Sequence, residues 1–184
     1  MAKLKLGLIV GSNRKESINR KLALAIAGLG SENFEATLIR IDDLPMYNQD
    51  DELPVPAPVA RFKSEIEASD ALLIVSPEHS RSIPAVLKNA LDWGSRPWGK
   101  NSWPNKPAAV TGTSGGLIST AVVQQHLRAV LGDLGVNLIG GEAYVQYKPE
   151  MIDAENNVSD ASVRDFLKAL IDRLAVFSRK LAAA

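Results

Sequence analysis

Nine residues, Gly11-Ser12-Asn13-Arg14-Lys15-Glu16-Ser17-Ile18-Asn19, join the apolar run Leu4 to Val10 to a segment of helical periodicity, and they gather small polar donors around a guanidinium. A strand-loop-helix turn of this composition suits a phosphate. The first N–H groups of a helix lack intrahelical partners and sit at the positive end of its dipole, so an anion is stabilised there before any side chain acts. Ser12, Ser17 and Asn19 can each donate to a phosphate oxygen, and Arg14 can add a charge-assisted fork worth roughly 1.5–3 kcal/mol. A capped helix start with a solvated arginine would use the same residue types, so the loop needs its context.

That context is an alternation of strands and helices. Leu4–Val10 reads as a strand, and Ile18, Leu22, Ala25, Ile26 and Leu29 then recur at helical spacing until Gly28 and Gly30. Glu35–Ile41 reads as a second strand. Past a Pro-rich loop, Val59, Phe62 and Ile66 mark a helix, Ala71–Ser76 a third strand, and Ile83, Val86, Leu87, Ala90 and Leu91 a helix with Pro84 in its first turn. Ala108–Thr113 is the fourth strand. Val123, Leu127, Val130, Leu131 and Leu134 face inward from the next helix, and a fifth strand begins near Asn137. The last helix carries the stripe Val163, Phe166, Leu167, Leu170, Ile171, Leu174 and Phe177, with Ser159 or Asp160 as its cap.

Apolar strands separated by amphipathic helices predict an α/β fold, a doubly wound five-stranded parallel sheet with helices on both faces. The order 2-1-3-4-5 is the common solution, and its ligand crevice lies beyond the carboxyl ends of the first and third strands. Both of those loops are polar here. The third is Ser76-Pro77-Glu78-His79-Ser80-Arg81-Ser82, and the fourth strand ends in Thr111-Gly112-Thr113-Ser114-Gly115-Gly116, whose glycines allow a flat ligand close to the backbone.

Composition bounds the rest. A chain of 184 residues suits a single domain, residues 1–184. Lys plus Arg and Asp plus Glu both number 21, so no overall field draws the chain to nucleic acid or to a membrane surface. The absence of cysteine excludes disulfides, thiolate metal sites and a cysteine nucleophile. The start of the chain lacks a signal-peptide pattern, and no apolar run approaches ~18 residues, so a cytoplasmic protein without a membrane span is expected.

The chain resembles the NADPH-dependent FMN reductase family, flavodoxin-like flavoproteins that include bacterial chromate and quinone reductases and azobenzene reductases. Gly-Ser-x-Arg-x-x-Ser-x-Asn is present as Gly11, Ser12, Arg14, Ser17 and Asn19. The family's Ser/Thr-Pro-Glu-Tyr-Asn-x-Ser-x-Pro-x-x-Leu-Lys-Asn-Ala-x-Asp-Trp appears as Ser76, Pro77, Glu78, His79, Ser80, Ser82, Pro84, Leu87, Lys88, Asn89, Ala90, Asp92 and Trp93. Ser114-Gly115-Gly116 is a looser match. The resemblance implies FMN, with its phosphate on the loop from Gly11 to Asn19, Ile18 included, and its ring bordered by Pro77, Glu78, His79, Ser80, Thr113, Ser114, Gly115 and Gly116. It also implies NADPH or NADH as donor, and quinones, chromate, azo compounds or free flavin as acceptors. Flavin N5 takes the hydride, so no catalytic acid, base or nucleophile is required of the protein, and no metal. Backbone N–H groups of the Thr113–Gly116 turn would face N1 and O2 of the ring.

His79-Ser80 replaces the family's usual Tyr-Asn. The imidazole either tunes the cofactor through its charge or faces solvent. Arg81 has two readings, attraction of the nicotinamide nucleotide's phosphate or an anionic acceptor, and a surface pair with Glu78 or Glu142. His126 is read as a packed or satisfied polar neighbour of the fourth helix. Trp93, Trp98 and Trp103 lie in a stretch too short to bury all three rings, which with the family habit predicts a homodimer or homotetramer. Gly94–Lys100 has Walker spacing but follows a helix and lacks the Ser/Thr. Asp42, Asp43, Asp50, Asp51 and Glu52 read as a solvated edge, and Tyr47-Asn48 matches a family pair of no evident role. The alternative class is a flavodoxin-type electron carrier, which such proteins serve with strongly acidic surfaces that this chain lacks. A scaffold that has lost flavin is disfavoured by the retained Ser12, Arg14, Ser17 and Asn19.

Overall fold

The computed structural model describes residues 2–183. Strand β1 (Leu4–Val10) is followed by α1 (Ile18–Leu29), β2 (Phe34–Ile39), α2 (Ala57–Ala68), β3 (Ala71–Val75), α3 (Ala85–Ser95), β4 (Pro107–Ser114), α4 (Ala121–Asp133), the short strands β5 (Asn137–Leu138) and β6 (Tyr144–Gln146), and α5 (Ala161–Ala182). The sheet is parallel throughout, in the order β2-β1-β3-β4-β5, with β6 also on β4. The flavodoxin-like order is thus present.

The central strands are apolar on both sides because helices cover both faces, and side chains alternate between them. Leu6, Leu8, Val10, Leu73 and Val75 pack under α1 and α5, whereas Ile9, Leu72, Ile74 and Val110 pack under α2, α3 and α4. Parallel pairing aligns the carboxyl ends of β1, β3 and β4, with Val10 opposite Val75 and Val75 opposite Thr111. The three loops that leave those ends therefore share one edge.

The fifth position of the sheet is divided. Asn137 pairs with Pro107 near the start of β4, and Tyr144 pairs with Gly112 near its end. Gly140-Gly141 lies between, Gly141 at φ +87°, and the chain leaves the ladder there and returns. The returned segment is held from below. Thr111 Oγ1 donates to Ala143 O at 2.8 Å, and the fully buried Gln124 donates through Nε2 to the same carbonyl at 2.9 Å.

Several sequence expectations shift. The second strand ends at Ile39 rather than Ile41, and α3 begins after Pro84, leaving Ile83 outside it. On α5, Asp160 is the cap, accepting from Ser162 N at 2.8 Å and Val163 N at 3.1 Å. The Ser162 hydroxyl and these N–H groups hold its carboxyl below the usual range. That contribution is complete above the ordinary Asp range and is lost as pH falls through the folded-state value. Phe166 departs from the stripe and is exposed, because the buried face narrows to Leu167, Leu170, Ile171 and Leu174.

The tryptophan expectation is corrected. Only Trp98 is exposed, at 88 %, whereas Trp93 and Trp103 are buried at 1 % and 0 %. Trp93 Nε1 donates to Pro45 O at 2.7 Å and Trp103 Nε1 to Leu91 O at 3.1 Å, so each indole finds its acceptor inside the chain. Gly94 makes room for Trp103, since a Cβ there would stand 2.4 Å from the indole nitrogen. No helix of the described residues is long and apolar enough to cross a membrane.

Candidate functional site

Gly11 leaves β1 with its N–H still bound to Val75 O, at 2.9 Å. From Ser12 to Asn19 no backbone N–H is donated within the described residues, which leaves a run of donors ahead of and inside the first turn of α1. Ser17 caps the helix by accepting from Arg20 N at 3.2 Å, and its own hydroxyl proton remains free to donate. Arg14 is exposed on the loop and Ser12 is half-buried beside it.

Asn19 has a different task from the one its type suggests. It lines the cleft, but its carboxamide turns to β4, where Nδ2 donates to Thr113 O at 3.0 Å and Oδ1 accepts from Thr113 N at 2.9 Å. Strand β3 stops pairing with β4 at Val75 opposite Thr111, with Ser76 N donating to Thr111 O. The next residue with the same orientation on β4 is Thr113. The Asn19 side chain therefore stands where the next peptide of β3 would have been, and the Thr113 N–H is not available to a ligand.

The loop after β3 folds back sharply. His79 N donates to Ser82 O at 3.1 Å and Ser82 N to His79 O at 2.9 Å, with Ser80 and Arg81 between at φ +49° and +60°. This is a two-residue turn of the primed kind, which favours Asn and Gly because both central residues enter the left-handed region. Ser80→Asn is expected to raise stability by about 0.5–1 kcal/mol and the melting temperature by roughly 1–4 °C. A calorimetric scan that moved the other way would show that Ser80 makes a compensating contact.

Glu78 fastens this loop to α4. Its Oε2 accepts from Val122 N at 3.0 Å and Val123 N at 3.1 Å, and its Oε1 accepts from Arg81 Nη1 at 2.9 Å. Thr120, the cap residue of α4, makes no side-chain cap bond, so the carboxylate of a distant loop satisfies the helix start. Glu78→Ala is expected to cost about 1–2 kcal/mol in urea denaturation, and Glu78→Gln less, since its amide oxygen still accepts. Arg81 pairs with Glu78 and not with Glu142, which accepts from Gln125 Nε2 at 2.9 Å. His126 is exposed, its Nδ1 at 3.1 Å from Ser82 Oγ, so it is a polar neighbour of the turn and not an inward residue.

At the end of β4, Thr113 is buried and donates through Oγ1 to Val145 O at 2.7 Å. Gly115 and Gly116 are exposed, and a Cβ on Gly115 would meet nothing within 4 Å, so their surface is open to a ligand. Gly112 serves the protein instead. A Cβ there would lie 2.0 Å from Ser76 O.

These loops enclose a cleft of about 560 Å³, lined by Gly11–Arg14 and Ser17–Asn19 on one side, Pro77–His79 and Pro84–Val86 on a second, and Thr113–Gly115 on a third. A second recess of about 570 Å³ continues past Glu78 and Ser114 and is lined by Ser80, Arg81, Gly116, Leu117, Ile118 and Ser119. Leu117 and Ile118 are exposed apolar side chains at its mouth.

The rest of the long second motif is scaffolding in this chain. Asn89 is buried; its Oδ1 accepts from Tyr47 N at 2.7 Å and its Nδ2 donates to Pro45 O at 2.8 Å, while Trp93 packs edge-on against Tyr47 at 5.1 Å. Tyr47 Oη donates to Glu52 at 2.8 Å, and Arg96 binds the same carboxylate. The Arg96 guanidinium, then Tyr47, hold Glu52 below the usual carboxylate range, and the bond to Glu52 pushes the Tyr47 phenol up. Asn48 caps the short turn at Gln49–Asp51. Spacing alone carries no sign of this clamp, because its partners lie some forty residues apart. Asp42 and Asp43 pair with Arg40 and Arg61, and no group of three or more His, Asp or Glu among the described residues is placed to hold a metal.

Comparison with known proteins shows the family. The family model for NADPH-dependent FMN reductase matches residues 4–150. A 2-hydroxy-1,4-benzoquinone reductase of Burkholderia sp is 43% identical over 177 residues, 96% of this chain and 97% of that one. A quinone reductase of Pseudomonas putida is 41% identical over 170 residues, 91% of each. Among solved structures, the flavoenzyme NAD(P)H:(acceptor) oxidoreductase FerB from Paracoccus denitrificans superimposes with a TM-score of 0.93 at 40% identity, covering 96% of this chain and 98% of its own. The chain belongs to the NADPH-dependent FMN reductase family and is an FMN- and NAD(P)H-dependent oxidoreductase.

Proposed function

We propose that residues 1–184 act as one FMN-binding domain that reduces small quinones at the expense of NAD(P)H. The observation that carries the reading is that Ser12–Arg14 and Ser17–Asn19, whose backbone N–H groups are undonated, line the same cleft as Pro77–His79 and the open glycine Gly115. The donor set fits FMN. A monophosphate meets the helix start, the Ser12 and Ser17 hydroxyls and Arg14, with Gly11 and Ile18 flanking it. The ring then lies between Pro77–Ser80 and Ser114–Gly116, and the volume of about 560 Å³ falls within the usual range of ligand pockets.

When bound, FMN supplies hydride acceptance at N5 and passage of two electrons onward. The chain's own residues orient it. Asn19 and Gly112 keep the end of β4 in place, Glu78 keeps the third-strand loop against α4, and Gly115 N–H is left free to donate toward the ring edge. Quinones are the favoured acceptor class, since the recess beside Leu117 and Ile118 offers an apolar wall and Arg81, 66% exposed, a cation at its rim. Chromate, azo compounds and free flavin form the wider set. We place the protein in the cytoplasm as a homodimer or homotetramer, with Trp98 as its most exposed large apolar ring.

Purified protein should be yellow, yield FMN on extraction, and bleach rapidly on anaerobic mixing with NADPH before a quinone restores the colour. Slow bleaching would mark an electron carrier, and a colourless protein that takes up no FMN would mark a scaffold. Arg14→Ala should weaken FMN binding about ten- to a hundredfold through the loss of roughly 1.5–3 kcal/mol, with the fold intact. An unchanged titration of the apoprotein would remove Arg14 from the site.

A further inference from the structure

We propose that a second cleft, at the carboxyl end of β2, takes the adenosine-phosphate half of NADPH, with Arg20 and Lys15 reading the 2′-phosphate. This rests on the reading of the first cleft as the FMN site. The second cleft has a volume of about 590 Å³, and Ser12, Asn13 and Arg14 line both, so the phosphate loop is a shared wall. Its floor is apolar, made by Val10, Leu38, Ile39 and Ile41. Its rim holds four cations, Arg14, Lys15, Arg20 and Arg40, against one carboxylate, Asp42, on a chain of zero formal charge. An apolar floor with a cationic rim fits a flat base that carries phosphate.

The charges are not equivalent. Arg40 is occupied by Asp42, Nε to Oδ1 at 2.7 Å and Nη2 to Oδ2 at 3.4 Å. Arg14, Lys15 and Arg20 form no ion pair among the described residues. Arg20 stands close enough to help hold the Asp42 carboxyl below its ordinary range, which places its charge at this rim. In doubly wound sheets that bind dinucleotides, the group that reads the ribose 2′ position stands beyond the second strand, a carboxylate for the hydroxyl and an arginine for the phosphate. Here that position offers a neutralised carboxylate and two uncommitted cations. The diphosphate would cross the shared loop, and the nicotinamide would reach the ring in the first cleft.

The test is calorimetric titration of the FMN-loaded protein with 2′,5′-ADP and with ADP, beside steady-state kinetics with NADPH and NADH. We expect 2′,5′-ADP to bind roughly ten- to a hundredfold more tightly than ADP, as a charge-assisted contact allows. Arg20→Ala should erase most of that difference and raise the KM for NADPH about tenfold, leaving KM for NADH and both kcat values unchanged, while Arg20→Lys restores part of it. Lys15→Ala should act in the same direction more weakly. Equal binding of 2′,5′-ADP and ADP would overturn the proposal, as would an Arg20→Ala protein with unaltered preference. Extraction of FAD in place of FMN would assign the cleft to the cofactor's own adenylate and overturn it likewise. Bleaching by both nucleotides without discrimination would defeat this inference alone, whereas bleaching by neither would defeat the functional reading beneath it.

Discussion

Asn19→Ala should lower the stability of the protein by about 2–6 kcal/mol, because it strips partners from two main-chain groups of a buried residue at roughly 1–3 kcal/mol each. Thr113 is fully buried, and its N–H and C=O are both bound by the one carboxamide. Global stability of a domain is commonly about 5–15 kcal/mol, so the upper part of this range would leave little folded protein at room temperature. Asn19→Asp serves as the control. It keeps the acceptor for Thr113 N–H and places a second oxygen against Thr113 O, so it should fall between wild type and alanine only where the pH is low enough to protonate the carboxyl, whose O–H then donates to Thr113 O. Urea denaturation measures the loss and FMN titration its effect on the site. An alanine variant within about 0.5 kcal/mol of wild type would mean that water takes over both bonds.

Gly112→Ala should be the other severe change, costing about 3 kcal/mol or more and abolishing FMN retention, at the upper end of what overpacking does. The added methyl meets Ser76 O at 2.0 Å and Ser76 C at 3.1 Å. A carbonyl cannot rotate away as a side chain can. Either β4 moves off β3, or the Ser76-Pro77 segment that begins the third-strand loop is pushed into the cleft. Two glycine controls separate these contributions. At Gly11 the closest atoms are Ser76 Oγ at 2.7 Å and Leu87 Cδ2 at 2.9 Å, side-chain ends that can yield in part, and at Gly115 there is open space. Thermal unfolding should rank Gly112→Ala well below Gly11→Ala, with Gly115→Ala near wild type. Equal melting of all three would show that the strand edge is softer than its geometry indicates.

The strands, the helices and the three polar loops were legible because each rests on a local signal, continuous apolar runs, helical spacing, and polar residues where strands end, and the strand order followed as the common solution for five such units. Long-range partners were not. Asn19 looks like a phosphate donor until Thr113 is seen beside it, ninety-four residues away. Glu78 looks like a cofactor residue, yet its carboxylate caps α4 even though the residue also lines the cleft. Trp93 and Trp103 look too crowded to be buried locally, and their acceptors, Pro45 and Leu91, come from other elements. The split of the fifth position between β5 and β6 was hidden for a related reason. Gly140-Gly141 reads as the end of a strand, and only the pairing of Tyr144 with Gly112 reveals that the chain comes back.

The unequal placement of the three indoles has a spectroscopic consequence. Iodide in solution should quench the emission of Trp98 and leave that of Trp93 and Trp103 nearly untouched, giving a downward-curving Stern–Volmer plot with one accessible class. Trp98→Phe would then remove the red-shifted, quenchable part of the emission and nothing else. Because that ring stands in solvent while the other two are buried, its fluorescence is a built-in gauge of self-association. If copies of the chain meet over this surface, dilution should increase the quenchable fraction at the concentration where they part.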